Sequence, residues 1–480
     1  MSTPKPLHAV VFSISLQGHV IPSVHLAIKL ASKGFTITFV NTQVIHHQIT
    51  TSSVGSRDDD DVDIFASARD AGLDIRYKTV SDGFPLGFDR YLNVEQYLEG
   101  HLHVFPAHVD ELVRGLVVTA DPPISCLVAD TFFGWQSVIA KKYGLLYVSF
   151  WTEPALVFSL YYHLDLLKIN GHYASQDNRE DTIDYIPGIK AIEPKDLTSH
   201  LQETDVSTAM SRLINKVSQD MRKADFVLCN TVHELESEPI SAIREIQPMY
   251  AIGPLFPSGF SDTKSVVPTS LKPESDCTQW LSTKTHGSVL YISFGSFISC
   301  GKNDIDEIAH GLLLSKVNFI WVLRTYATSY EEPYVLPNGF EDEVKGRGLT
   351  VTWTNQIEVI SHPAIGGFLT HCGWNSVLES IWYGIPMLCF PLMTDQLTNR
   401  KLVVDDWRIG VNLCDRKSLT RFEVAEKINR LMKGKSADEL RIEVMKVKQT
   451  LRNALAKDGS SDWNLCQFIS DVEAKIVNKV

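Results

Sequence analysis

The chain has 480 residues, a formal net charge of −12, 21% charged and 44% hydrophobic residues. This is a globular profile too long for one hydrophobic core, so two domains are expected. The acidic balance excludes an electrostatic grip on nucleic acid or anionic lipid, and no apolar run is long enough for a membrane span.

Leu7 to Ile14 is an apolar, β-branched run, read as a buried strand. Ser15 to His19 reads as the loop after it. Val20, Val24, Ala27, Ile28 and Ala31 then recur at helical spacing until Gly34, and Phe35 to Val40 is the next strand. Ile75 to Val80 is a further strand, and 81–108 reads as irregular structure plus a helix. Ile124 to Ala129 is a buried strand with Asp130 at its carboxyl end, followed by a helix over 134–143 and a strand to Trp151. Residues 153–167 are helical and strongly aromatic, 170–200 loop-like, 207–223 an amphipathic helix and 226–230 a strand. Residues 257–275, rich in Pro, Ser, Gly, Thr and Lys, form the linker. Beyond it, strands at 288–294, 318–323, 349–353, 365–369, 386–390 and 409–413 alternate with helices at 304–316, 356–361, 374–383 and 395–405. Helical stretches at 420–457 and 461–476 follow.

The alternation predicts an α/β fold: two doubly wound Rossmann-like domains, 1–256 and 276–460, whose strand carboxyl ends can face each other across a cleft. The eight cysteines include no C-x-x-C pair and several lie in apolar runs. They read as reduced, buried thiols, and with no leader-like N-terminus the expected location is cytoplasmic.

A G-x-G-x-x-G and a P-loop are both absent; Gly295 to Lys302 has one spacer too many and no Ser or Thr after the Lys. Asp61-Val62-Asp63 and Asp304-Ile305-Asp306 could hold a divalent ion, but neither follows a strand, and the second opens a helix whose dipole favours acids. No metal is expected. The stretch 365–379 carries the chemistry. An apolar strand stops at His371, and a helix opens at Trp374, Asn375 and Ser376, so backbone N–H groups and a positive dipole end converge on an anion site. His371 can donate to a phosphate oxygen. Glu379, one turn in, suits two ribose hydroxyls rather than a phosphate, and Trp353 offers a flat face to a base.

The stretch Trp353 to Gln396 resembles the signature box of plant secondary-product UDP-glycosyltransferases. It matches in its length and in Trp353, Gln356, His362-Pro363, Gly366, His371 through Ser376, Glu379, Gly384, Pro386, Pro391 and Asp395-Gln396. Gln17-Gly18-His19, Val128-Ala129-Asp130, Phe150-Trp151-Thr152 and Ser293 through Ser296 extend the likeness. The resemblance implies a GT-B type fold, with residues 461–480 packing back on the N-terminal domain. It implies that Trp353 stacks on uracil, Gln356 helps bind the nucleoside, and His371, Asn375, Ser376 and Ser296 hold the diphosphate. Glu379 then binds ribose, Asp395 and Gln396 bind sugar hydroxyls, and Thr152 and Trp374 complete the UDP-sugar set. UDP-glucose is the expected donor and a small lipophilic plant metabolite with a hydroxyl or carboxyl the expected acceptor, with no metal or other cofactor and a monomeric chain.

His19 and Asp130 end strands of separate βαβ units. They are the expected catalytic pair: a His base takes the acceptor proton, and the carboxylate fixes its tautomer and stabilises its charge. Phe84, Phe88, Tyr91, Phe132, Phe133, Trp135, Trp151, Phe158, Tyr161 and Tyr162 are candidates to line the acceptor pocket. Departures from the family pattern are Ser13 through Leu16, Thr354-Asn355 and Phe390. The first bears on the acceptor side. A UDP-sugar epimerase or hydrolase and a non-catalytic UDP-sugar-binding protein are the alternative readings.

Overall fold

In the computed structural model the described residues are 7–52, 64–175, 179–256, 275–296, 300–324, 336–414 and 418–478. The expected linker lies almost wholly outside them, as does Asp61-Val62-Asp63. The chain divides into two compact units, Met1–Lys272 with Ala454–Val480, and Pro273–Asn453.

The first unit is built on a parallel sheet of seven strands: β1 His8–Phe12, β2 Thr36–Thr42, β3 Ile75–Val80, β4 Cys126–Asp130, β5 Leu146–Trp151, β6 Phe226–Cys229 and β7 Met249–Ala251, in the order 3-2-1-4-5-6-7. Helices cover both faces, so strands buried on both sides read as continuous apolar runs. On one face Ala9, Val11, Ile37, Phe39, Val128 and Val148 pack against Val24, Ala27 and Leu30 of helix Gln17–Ser32. Leu465, Phe468 and Val472 of helix Ser460–Val477 join that core. Ser461 Oγ donates to the Gly253 carbonyl at 2.5 Å, and Asn464 Nδ2 to that of Ala251 at 2.8 Å.

The second unit has six parallel strands: β8 Val289–Ser293, β9 Asn318–Val322, β10 Gly348–Val351, β11 Ile365–Thr370, β12 Met387–Cys389 and β13 Gly410–Asn412, in the order 10-9-8-11-12-13. Period-2 alternation splits its core. Leu290 and Ile292 face Ile305, Leu312 and Val424, whereas Val289 and Tyr291 face Leu281, Val359 and Ile360. Both units are thus doubly wound in the GT-B manner, and among the described residues no helix is long and apolar enough to cross a membrane.

The structure corrects several sequence readings. The helix after β1 starts at Gln17, so His19 lies in its first turn rather than in a loop; extended Leu16 is the N-cap and its carbonyl accepts from Val20 N at 2.9 Å. The reading of 81–108 missed a second helix: Val94–His103 is followed by Phe105–Thr119, with Pro106 in its first turn, where a missing N–H costs nothing. The stretch 420–457 is two helices, Arg421–Met432 and Gly434–Leu455. They part where Lys433 is extended and Gly434 takes φ +71°.

One buried carboxylate ties the first unit together. Glu236, 4% exposed, accepts from Ala155 N at 3.0 Å, Leu156 N at 2.8 Å and the Thr231 hydroxyl. It therefore satisfies the start of helix Ala155–Tyr162, whose N-cap, Pro154, offers no side-chain acceptor. Glu236→Ala strands three buried donors, each worth about 1–3 kcal/mol. A stability loss of roughly 3–5 kcal/mol is expected, read as a lower midpoint in urea unfolding. An unchanged midpoint refutes the capping role.

Candidate active site

In a doubly wound sheet the strand order reverses at one point, and a crevice opens there beyond the carboxyl ends. In the first unit that point lies between β1 and β4, which pair in register from Ala9↔Cys126 to Phe12↔Ala129. His19 follows β1 and Asp130 ends β4. His19 Nδ1 meets Asp130 Oδ2 at 2.6 Å, with side-chain exposures of 15% and 1%. The other carboxylate oxygen accepts from Phe132 N at 3.0 Å, and Gln136 Nε2 donates to the Asp130 carbonyl, so the acid is fixed from both sides. Thr152, just past β5, places Oγ1 3.0 Å from His19 Nδ1. With Nδ1 donating to the carboxylate, the lone pair of a neutral imidazole lies on Nε2. This is the geometry of a base with an orienting acid.

In the second unit the reversal lies between β8 and β11, in register up to Ser293↔Thr370. The turn after β11 holds Cys372 at φ +66°, braced by Thr370 Oγ1, which accepts from Cys372 N at 3.1 Å. Helix Trp374–Tyr383 then opens from Gly373, an N-cap with no side chain to satisfy the first-turn donors. His371 sits between two glycines. A Cβ on either Gly295 or Gly373 would stand 2.5 Å from its Nε2, so only Gly admits the ring. Burial chiefly, with the Arg324 cation adding, lowers His371 to about 4, and at neutral pH the ring is an uncharged donor.

Below the helix start, Gln356 Nε2 donates to Ser376 Oγ at 3.0 Å and to Glu379 Oε2 at 2.6 Å, while Tyr291 OH donates to Gln356 Oε1 at 3.4 Å. Burial pushes Glu379 up to about 7 despite the Gln356 hydrogen bond. Asn355, a departure from the family pattern, is the N-cap of helix Gln356–Ser361, its Oδ1 accepting from Glu358 N. Thr354 donates to the Ser275 carbonyl at 2.9 Å. Trp353 is half-buried beside this group.

Asp395 and Gln396 follow β12. Asp395 accepts from Thr394 Oγ1 at 2.9 Å and from Asn399 Nδ2 at 2.6 Å. Gln396 is 3% exposed, and its Oε1 accepts from Leu392 N and Met393 N at 2.9 and 3.2 Å. Its carbonyl thus shapes the loop after β12. Trp374 is 4% exposed and packs on Trp407, which leaves its main chain as its contribution to the helix start. Ser296 is held through its carbonyl by Arg324 Nη1 at 2.7 Å.

The structure adds two residues that sequence reasoning passed over. Asn399 bonds Asp395 and also donates to the Cys372 carbonyl at 2.9 Å, linking the turn after β11 to the loop after β12. Its i+4 spacing from Asp395 was the available signal. Arg324 ends an apolar strand as its first cation. Of the ten candidate aromatics, Phe133, Trp135, Trp151, Phe158 and Tyr161 are core. Phe132 is half-buried and meets the His19 ring edge-on, with centroids 5.9 Å apart.

Residues 262–451 match the family model described as "UDP-glucoronosyl and UDP-glucosyl transferase". UDP-glycosyltransferase 86A1 of Arabidopsis thaliana is 57% identical over 98% of this chain and 96% of its own. The chain belongs to the UDP-glycosyltransferase family. It is an enzyme that transfers a sugar from a UDP-sugar. The 7-deoxyloganetin glucosyltransferase of Gardenia jasminoides is 34% identical over 98% of both chains. Among solved structures, Medicago truncatula UGT71G1 complexed with UDP-glucose superposes with a TM-score of 0.79 at 26% identity, covering 97% of this chain and 98% of that one. A UDP-glucose: anthocyanidin 3-O-glucosyltransferase in complex with UDP gives 0.82 at 25%, covering 99% and 100%. These likenesses exclude the reading of this UDP-glycosyltransferase as a mere binding protein.

Proposed function

We propose that this UDP-glycosyltransferase transfers glucose, with inversion and without a metal, to a hydroxyl or carboxyl of a small lipophilic metabolite, as a cytoplasmic monomer. The observation that carries the mechanism is the 2.6 Å His19–Asp130 contact. His19 Nε2 takes the acceptor proton as its oxygen attacks the anomeric carbon opposite the diphosphate. The bond to the phosphate oxygen breaks, and UDP leaves with the electron pair. Asp130 stabilises the imidazolium.

His371, Asn375, Ser376 and Ser296 hold the diphosphate at the start of helix Trp374–Tyr383, where donors meet its charge without a cation. Glu379 and Gln356 take the ribose and nucleoside, Trp353 the base, and Asp395, Gln396 and Thr152 the sugar. Glucose as donor is supported by the glucosyltransferases among the relatives, and a lipophilic acceptor by half-buried Phe132, whose ring meets His19 edge-on.

The test is to incubate UDP-glucose with phenols, terpenoid alcohols and carboxylic acids, with and without EDTA. Products are read by mass spectrometry and by the anomeric proton coupling. A β-glucoside formed equally with chelator is expected. An α-glucoside overturns inversion, loss with EDTA overturns metal independence, and free or rearranged sugar alone points to a hydrolase or epimerase.

A further inference from the structure

The segment after β3 buries a full ion pair. Arg90 Nε donates to Asp82 Oδ2 at 2.7 Å and Nη2 to Oδ1 at 2.9 Å, with side-chain exposures of 10% and 6%. Arg90 Nη1 also donates to the Phe88 carbonyl at 2.9 Å, and Asp82 Oδ1 accepts from Phe84 N at 3.2 Å. The bidentate pair closes residues 82–90 into a ring, a short surface loop with joined ends. Inside it Phe84 and Phe88 stack at 4.4 Å. Phe84 seats on Gly100 of helix Val94–His103, where a Cβ would lie 2.4 Å from the ring.

That helix reaches the His19 side through His101, against which Tyr97 packs with ring centroids 6.4 Å apart, Tyr97 itself lying 6.0 Å from the Phe84 ring. His101 stacks on Phe133 at 5.4 Å, next to Phe132, whose ring edges His19. A buried ion pair is a weak source of stability against an apolar alternative and serves better to impose one conformation.

We propose that the Asp82–Arg90 pair is a latch that fixes the acceptor-side wall, making Arg90 a positioning residue for acceptor selectivity. It rests on the reading above of where the acceptor binds. The latch holds Phe84 on Gly100, which sets helix Val94–His103 and, through Tyr97 and His101, the surroundings of His19. Asp82 and Arg90 belong to the first unit, whereas the proposed nucleotide ligands belong to the second.

The test compares wild type, Arg90→Ala and Arg90→Lys with UDP-glucose and two acceptors, a one-ring phenol and a polycyclic phenol. With Arg90→Ala the acceptor KM rises about tenfold or more and the selectivity between the two acceptors changes, while the UDP-glucose KM stays within about twofold. Arg90→Lys falls between, because an ammonium cannot span both carboxylate oxygens and the Phe88 carbonyl. Hydrogen exchange over 82–103 speeds up. Unchanged acceptor KM and selectivity, or donor and acceptor KM rising together, overturns the proposal. If Arg90→Ala does not fold, the double variant Asp82→Asn/Arg90→Gln, which strands no charge, is read by the same criteria. If wild type glucosylates neither acceptor, the acceptor reading fails, and exchange over 82–103 still decides the latch: no change there refutes it.

Discussion

His19→Ala lowers kcat on a hydroxyl acceptor by about 10²–10⁴-fold, the usual worth of a general base, and leaves the KM for the UDP-sugar unchanged. The separation follows from topology: His19 follows β1 of the first unit, while the proposed nucleotide ligands sit in the second. Asp130→Asn tests the other half of the pair. Asn has one acceptor oxygen where Asp has two: with that oxygen on Phe132 N, its amide NH2 faces His19 Nδ1 and favours the wrong tautomer, and the charge that stabilises the imidazolium is gone, so kcat falls while the fold stands. A carboxylic acid acceptor arrives ionised, and its turnover is expected to depend much less on His19. Initial rates with saturating UDP-glucose and both acceptor types settle the matter. If His19→Ala keeps most of its turnover on the hydroxyl, the base lies elsewhere.

Glu379 is expected to make UDP binding pH-dependent in one direction. Burial raises its carboxyl to about 7. Above that pH it is a carboxylate that accepts from two ribose hydroxyls; below it the neutral acid is a poorer acceptor. UDP affinity therefore weakens as pH falls through 7, by up to about tenfold per pH unit at first. Glu379→Ala loses charge-assisted hydrogen bonds worth about 1.5–3 kcal/mol each, roughly 10- to 100-fold in affinity for each of the two. Glu379→Gln removes the pH dependence while keeping one acceptor. Calorimetric UDP titrations at pH 5.5 to 8.5 read all three. A flat wild-type profile, or equal slopes in wild type and Glu379→Gln, sinks the assignment. Folding carries the opposite sign. The raised pKa means the folded state holds this proton more tightly, so its contribution to stability is present below the ordinary carboxylate pKa and is lost as pH rises through about 7.

Much of this was legible in the sequence because strands buried on both faces must be apolar throughout. Ile75–Val80 and the helices Gln356–Ser361 and Trp374–Tyr383 fall where periodicity and turn residues place them. The break at Gly434 was hidden because its flanks keep helical periodicity, and a single Gly does not announce a positive φ. The site was legible as a set of residue types at strand ends, not as a network. Nothing in the spacing of Gln356 and Glu379, on two separate helices, reveals their 2.6 Å contact. The buried carbonyl of Gln396, turned to the main chain of Leu392 and Met393, was equally invisible. Aromatic richness in 132–162 was real, but five of those side chains fill the core, since burial of a large ring is decided by its face of the sheet rather than by its type.

The docking of helix Ser460–Val477 in the first unit's core has a consequence for biosynthesis. The second unit draws on one continuous stretch of chain and can fold as soon as 453 has left the ribosome. The first unit begins earlier but lacks Leu465, Phe468 and Val472 until the final segment emerges. Domains usually mature in the order in which they are made; here the unit that starts first finishes last. Until then an apolar stripe is left uncovered beside Phe226 and Tyr250, whose rings later meet Phe468.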